Sequence, residues 1–466
     1  MFKLKILITI ATSAMLLFAC DKQNEWLDKK ANKSDVVLSS LEDYQALLDN
    51  DGVFNQRYPS LGLLASDNFY TTYSNWQAAF TATERNSYIW MSDAFSGESV
   101  NDWNRPYAMV AHANIVLEGL EKIQPDPSQQ ELKDALRGSA LFFRAYSFYN
   151  LLQLFAQPYG WESSADALGI PMKLEADVNV KSPRSDLAYC YRVIIDNLAE
   201  ASDLLPTRAS HITRPSRSAC NALLARIYLN MANYPLALKH AKMALVSDAS
   251  LMDFNGLTSD PTFSYSMPAP ELNSEMLFYA ESATYLLTDF RRASAIVDSA
   301  LYASYTNGDL RKSIFYTTPD ETGQTFFRGS YTTNSSTFAG IGLNEIYLIL
   351  AESSWRTGDE NSALDYMNTL LAVRKDGVSF QPITKNDVPD ALSFILNERR
   401  KELPFTGNLR WQDLRRLNVD SRFQKTLTRE LNGEVYTLPP NDKRYVYPIP
   451  DDELRRNPMP QNDRES

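Results

Sequence analysis

Between Gly52 and Gly97 the chain crowds Tyr58, Phe69, Tyr70, Tyr73, Trp76, Tyr88, Trp90 and Phe95 into a polar, loop-like stretch. Asp67, Asn68, Asn75, Arg85 and Asp93 interleave with these rings. Flat rings beside amides, carboxylates and a guanidinium suit a ligand that offers C–H faces and hydroxyl edges, which is the chemistry of a sugar. Aromatic residues make up 12% of the chain, so ordinary ring packing competes with that explanation for any single one.

The residue types that support bond-making chemistry are sparse or scattered. His112, His211 and His240 stand far apart, and neither His-Glu-x-x-His nor Cys-x-x-Cys spacing occurs, so no metal site or other cofactor is expected. No Gly-x-Ser-x-Gly elbow appears, and Gly340-Ile341-Gly342 is too short for a dinucleotide fingerprint. A glycosidase needs two carboxylates at a set separation. With 57 acidic residues the sequence always offers some such pair and singles out none. Cys190 and Cys220 read as buried free thiols, although spacing alone leaves pairing open.

Acidic residues outnumber the 46 basic ones, for a net charge of -11 over 466 residues. Such a surface repels phosphate backbones, which argues against nucleic-acid binding. Met1 to Ala19 reads as a leader, with Lys3 and Lys5 ahead of the apolar run Ile6 to Phe18. It ends in Leu17-Phe18-Ala19-Cys20, which resembles a bacterial lipobox whose Cys20 thiol is acylated and becomes the mature N-terminus. An ordinary secretory signal with a chance cysteine is the alternative. Residues 20–33 form a polar tether, and no later run is apolar and long enough to span a bilayer. The expected location is the outer membrane, lipid-anchored and facing outward.

The elements that position the rings are helical. From Arg217 to Leu245 small and apolar residues recur at helical spacing, Leu224, Ala225 and Tyr228, then Ala237, Ala241 and Ala244, with Asn233-Tyr234-Pro235 breaking the period. This is a tetratricopeptide-like hairpin, and Ala351, Ser354, Gly358, Ala363, Met367 and Leu370 mark a second. Further helices are expected at 35–49, 101–123, 131–155, 185–205 and 388–401. Residues 247–340 form a second irregular region, with a strand in 274–280, a helix over 293–304 and loops or small strands over 315–338; turns close the chain. The reading is a mainly α single domain over 34–466: an N-terminal part to 213, a hairpin at 214–247, a loop-rich insert at 248–339 and a C-terminal part from 340. Glu398, Arg399, Arg400 and Glu402 on one helix, and Arg410, Asp413 and Arg416 on the next, have the spacing of structural ion pairs.

Taken together these segments resemble the RagB/SusD family, the surface glycan-binding lipoproteins of Bacteroidetes. The resemblance runs nearly end to end: Cys20 followed by Trp26-Leu27-Asp28; Trp103, Tyr107 and Ala113-Asn114; Leu136-Arg137-Gly138 through Tyr149; and Asp309-Leu310-Arg311. It continues through Glu398 to Leu403, Gly407, Arg410, Asp413-Leu414 and Arg416, then Pro448-Ile449-Pro450, Glu453, Asn457-Pro458 and Gln461-Asn462. Thr406-Gly407-Asn408-Leu409-Arg410 departs from the family's Glu-Gly-His-Arg by one inserted residue. The resemblance implies a SusD-like fold and a non-catalytic protein. Such a protein captures oligosaccharide and passes it to a SusC-like TonB-dependent transporter, over which it acts as a lid. It also directs attention to the 52–97 stretch and the mid-chain insert, so Trp90 and Trp76, then Tyr70, Tyr73 and Tyr285, are the favoured rings, with Asp67 and Asp93 as polar partners. A scaffold or peptide-capture lipoprotein of the same transporter class, and a secreted glycoside hydrolase, are the rival readings.

Overall fold

The computed structural model describes residues 38–465 apart from 162–166, 178, 246–248, 258–266, 290–291, 319–322 and 379. The expected leader, tether and Cys20 lie outside them. The first helix among the described residues, α1 (Leu41–Leu48), is begun by a capping box: Asp43 N–H donates to Ser40 Oγ at 3.2 Å and Ser40 N–H donates to Asp43 Oδ2 at 3.0 Å. It buries Leu41, Tyr44 and Leu48 on one face. Tyr44 crosses the next helix where only glycine fits, since a Cβ on Gly119 would sit 2.0 Å from the Tyr44 hydroxyl.

The long helices follow as expected: α2 (Asn101–Glu121), α3 (Gln130–Phe155) and α4 (Leu187–Leu204). They pack in succession through an aliphatic and aromatic core. The two hairpins come next, α5 (Arg217–Asn230) with α6 (Tyr234–Ala244), and α7 (Leu343–Arg356) with α8 (Glu360–Ala372). Asn233 and Asp359 cap α6 and α8, Pro235 stands in the first turn of α6, and Gly358 makes the second turn at φ +90°. Ala237, Ala241 and Ala244 are fully buried, so α6 lies close to its neighbours, and Arg356 of α7 stacks over Tyr234 at 4.7 Å.

Helices α9 (Ala391–Glu402) and α10 (Leu409–Leu417) carry the charged signature into the interior. Arg311 pairs with Asp309 at 2.7 Å, Glu398 at 2.6 Å and Glu402 at 3.1 Å, all of them buried. Arg374 joins Glu402 to Glu275, Arg399 joins α9 to Asp413, and Arg416 joins α10 to Glu352 of α7. Arg226 of α5 reaches Glu345 at 2.6 Å. A buried charge left alone is very costly, and here each is met by counter-charges. The alternating charges therefore tie the hairpins, the insert and the C-terminal helices together.

Three expectations need correction. Residues 52–97 hold short helices, Asp51–Phe54, Leu61–Ala65, Tyr73–Gln77 and Ala82–Tyr88, where loops are predicted. The expected helix over 293–304 is a short strand followed by one helical turn and a half, Ile296–Val297 and Ser299–Ala303, because Asp298 caps the helix late through Leu301 N–H. The closing turns contain a β-hairpin. Its strands, Leu427–Leu431 and Glu434–Leu438, are joined by Asn432 and Gly433 at φ +53° and +82°, the left-handed pair a two-residue hairpin turn demands. Six of the ten paired strands among the described residues are numbered β1 (Phe69–Tyr70), β2 (Met276–Phe278), β3 (Ile296–Val297), β4 (Ile341–Gly342), β5 (Leu427–Leu431) and β6 (Glu434–Leu438). β1 pairs with β3 and β2 with β4, so the insert is sewn to both halves of the molecule. Cys190 and Cys220 are buried free thiols.

Candidate ligand-binding site

The β5–β6 hairpin leans over β1, and between them opens a cleft of about 420 Å³ lined by Asp67, Tyr70, Trp90, Lys425 and Arg429 among others. The alternation of β5 sends Leu427, Arg429 and Leu431 inward and Thr428 and Glu430 to solvent. Arg429 thereby enters a sandwich of rings, 3.5 Å from the Tyr88 ring centre, 4.8 Å from Trp90 and 5.5 Å from Phe69. Its Nη2 donates to the Leu64 and Ser66 carbonyls at 3.1 and 2.6 Å. Trp90 is 2% exposed, its backbone is left-handed at φ +58°, and its indole N–H donates to Ala65 O at 2.9 Å. It is a wall beneath Arg429 and not the open platform its sequence context suggests.

Asp67 is partly buried and tied to Arg410 at 2.6 Å, Lys425 at 2.7 Å and Arg400 at 3.4 Å. Burial alone would raise its pKa. Arg410, Arg400 and Lys425 outweigh that and hold the carboxyl well below the ordinary aspartate range. Most of its accepting capacity is thus occupied by α9, α10 and the hairpin approach, and Lys425, with its side chain 45% exposed, is the open donor of the group.

The open rings are Tyr70, Tyr73 and Trp76. Tyr70 ends β1 at 42% exposure and Tyr73 starts the next helical turn at 37%. Thr72 caps that turn by accepting Asn75 N–H at 3.2 Å. The cap sets Tyr73 and Trp76 three residues apart on one side, and their rings stack at 5.7 Å and 24°. Trp76 is half-buried and fixed by its indole N–H to Arg85 O at 3.0 Å, and Gln77 donates to the Tyr73 hydroxyl at 2.8 Å. Phe80, just beyond, is 77% exposed. A rigid, stacked, half-open aromatic edge beside hydrogen-bonding groups is what packs against the apolar face of a sugar ring while leaving its hydroxyls to polar partners.

The structure brings Asp67, Tyr70 and Trp90 to one cleft but not Asp93 or Tyr285. Asp93 closes a local turn, accepting Ser96 N–H at 2.8 Å. Tyr285 gives its hydroxyl to Asp102 at 2.6 Å, and Asp102 also accepts Leu61 N–H at 2.8 Å, which pins the insert to the start of α2. Burial pushes Asp102 upward against those hydrogen bonds, and Glu84, accepting Leu287 N–H, is pushed up for the same reason. Sequence reasoning missed Lys425, Arg429 and Phe80. The Asn-Gly pair at 432–433 was the available signal for the hairpin that delivers the first two. Among the described residues no group of three or more His, Cys, Asp or Glu could hold a metal ion, and no helix is long and apolar enough to cross a membrane.

Two family models match the chain in order: residues 25–229 match one described as "Starch-binding associating with outer membrane", and residues 303–463 match the SusD family. The chain belongs to the SusD/RagB family. Solved SusD-like structures carry the same fold. A putative sugar binding protein from Bacteroides vulgatus superposes with a TM-score of 0.69 at 23% identity, covering 92% of this chain and 99% of its own. A SusD superfamily protein from Bacteroides thetaiotaomicron gives 0.69 at 22%, covering 91% and 100%. Surface glycan-binding protein A from Bacteroides uniformis gives 0.68 at 17%, covering 91% and 99%. At these identities the likeness establishes the SusD-like architecture of helical hairpins with long insertions. No match is found among curated proteins.

Proposed function

We propose that this SusD-like protein captures oligosaccharide at the cell surface without cleaving it and passes it to a SusC-like TonB-dependent transporter. Acylation at Cys20 would hold it on the outer membrane, facing outward. The observation that carries the reading is the Tyr73–Trp76 stack, open to solvent beside Tyr70 and the Asp67–Lys425 cleft. Sugar C–H faces would rest on these rings while Lys425 and the exposed Thr428 meet hydroxyl groups. A glycosidase acid must hold a proton near neutral pH, which takes a raised pKa. In the cleft Asp67 is held well below the ordinary range, after Arg410, Arg400 and Lys425 overcome its burial. Among the described residues the carboxyls that burial pushes up, Glu84 and Asp102, are each 1% exposed and occupied by backbone N–H groups. That distribution favours binding over hydrolysis.

The test uses soluble protein beginning at Asp21, run in native gels containing a panel of neutral and acidic polysaccharides, with new reducing ends assayed in the same mixtures. Retardation without release is the expected result. Release of reducing ends would overturn the non-catalytic reading. Absence of both, with copurification of a large barrel, would favour the scaffold role of the two helical hairpins.

A further inference from the structure

A second cleft, of about 350 Å³, opens between the turn at 55–58, the first turns of α2 and the 281–284 segment of the insert. Its frame is fixed by backbone hydrogen bonds: Tyr58 N–H to Glu281 O at 2.9 Å, Glu281 N–H to Asn55 O at 2.7 Å and Ala283 N–H to Tyr58 O at 2.8 Å. Arg57 and Arg105 line it, with Glu281, Asn101, Thr284 and Ser336. Arg57 stands at φ +64°, a left-handed conformation that is costly for a residue with a Cβ. Asn101 and Arg105 are one turn apart on α2 and so share the side that faces the cleft.

What sets this cleft apart is its unsatisfied charge. Arg57 is exposed and Arg105 half-buried, and neither side chain makes a hydrogen bond, ion pair or ring contact among the described residues. In a chain where 57 acidic residues outnumber 46 basic ones, counter-ions are plentiful, and Arg399, Arg400, Arg410 and Arg416 of α9 and α10 find them. The one carboxylate lining the cleft, Glu281, already accepts from the Tyr279 hydroxyl and from Asn334 Nδ2. Two arginines against one glutamate leave the lining net positive on a protein that is net negative. Thr284 Oγ1 and Ser336 Oγ, 3.3 Å apart, add hydroxyls at the mouth.

We propose that this cleft is a subsite for an anionic sugar, whose carboxylate or sulfate is gripped by Arg57 and Arg105. The proposal rests on the glycan-capture reading above and names its ligand class. Planar guanidinium groups match both anions with paired N–H donors, and such charge-assisted bonds are the strong ones. The protein's overall negative field is screened beyond roughly 10 Å in ordinary salt, so the local pair governs the encounter inside the cleft.

The experiment runs the soluble protein in native gels containing polygalacturonate or dextran sulfate, with carboxyl-reduced polygalacturonate and dextran as uncharged counterparts. The expected result is retardation by a charged polymer well beyond that by its uncharged counterpart, weakened by added salt. The two charged arms distinguish carboxylate from sulfate recognition. The Arg57→Gln/Arg105→Gln variant is expected to lose about tenfold or more in affinity, consistent with loss of two charge-assisted contacts. The Arg57→Lys/Arg105→Lys variant should retain part of it. Because neither side chain has a partner among the described residues, both variants should melt with the wild type. Retardation by uncharged polymers that the glutamine variant leaves unchanged would overturn the anionic subsite while sparing glycan capture. Failure of every polysaccharide in the wider panel would remove glycan capture as well.

Discussion

The charged helices α9 and α10 and the aromatic edge at 70–76 are built from the residue types that bind ligands, yet they differ in one respect. In α9 and α10 each named charge is met by a partner of the same molecule and wholly or largely withdrawn from water, and Glu398 and Glu402 of α9 join Asp309 around the buried Arg311. At the edge, Tyr70 and Tyr73 remain open, and the hydrogen bonds of Tyr73 and Trp76 steady those two rings without covering them. Where side chains satisfy one another they hold the fold, and where rigid side chains are left unsatisfied they are available to something else.

The largest way to test that contrast is to break the buried side. Arg311→Gln leaves Asp309, Glu398 and Glu402 without their shared cation, and about 3–5 kcal/mol of stability should be lost. Chemical denaturation measures it, and a loss under about 1 kcal/mol would contradict the structural reading of the signature.

Acid should act on the same region. Arg311 and Lys401 overcome the burial of Asp309 and lower its carboxyl to about 2. A depressed folded pKa contributes stability above the unfolded value near 4 that is lost as pH falls toward 2. The stability of the wild type should therefore drop by on the order of 2 kcal/mol from this group alone across that window. Asp309→Asn should flatten that part of the profile, read from denaturation midpoints at successive pH values.

On the open side the order of effects reverses. Tyr73→Ala should change stability by about 0.5 kcal/mol or less, as surface substitutions do, while weakening any retarding glycan by about 1–2 kcal/mol through loss of a ring platform. Smallest of all, Lys425→Ala removes one exposed partner of Asp67, while Arg410 and Arg400 remain. Its stability cost should fall within about 1 kcal/mol.

The sequence displays the hairpins, the long helices and the pairing role of the C-terminal charges, because period, caps and charge spacing are local properties. It does not display the fate of individual rings. Trp90 and Tyr73 are both aromatic residues in polar context, and only the approach of Arg429, 339 positions further on, decides that one is wall and the other edge. Asp67 looks like a free hydrogen-bonding group until Arg410 arrives from α10. The hairpin that lines the cleft was legible in Asn432-Gly433, while the insert's path back to β1 depends on pairings, such as Tyr70 with Ile296, that no local pattern encodes.

The most direct test of the whole account is calorimetric titration of wild-type and Tyr73→Ala/Trp76→Ala protein with the polysaccharide that retards the wild type, with melting curves taken in parallel. The account predicts saturable binding by the wild type and at least about tenfold weaker binding by the variant, with the fold intact. Equal affinity in a folded variant would contradict the claim that the open aromatic edge is where this protein holds its ligand.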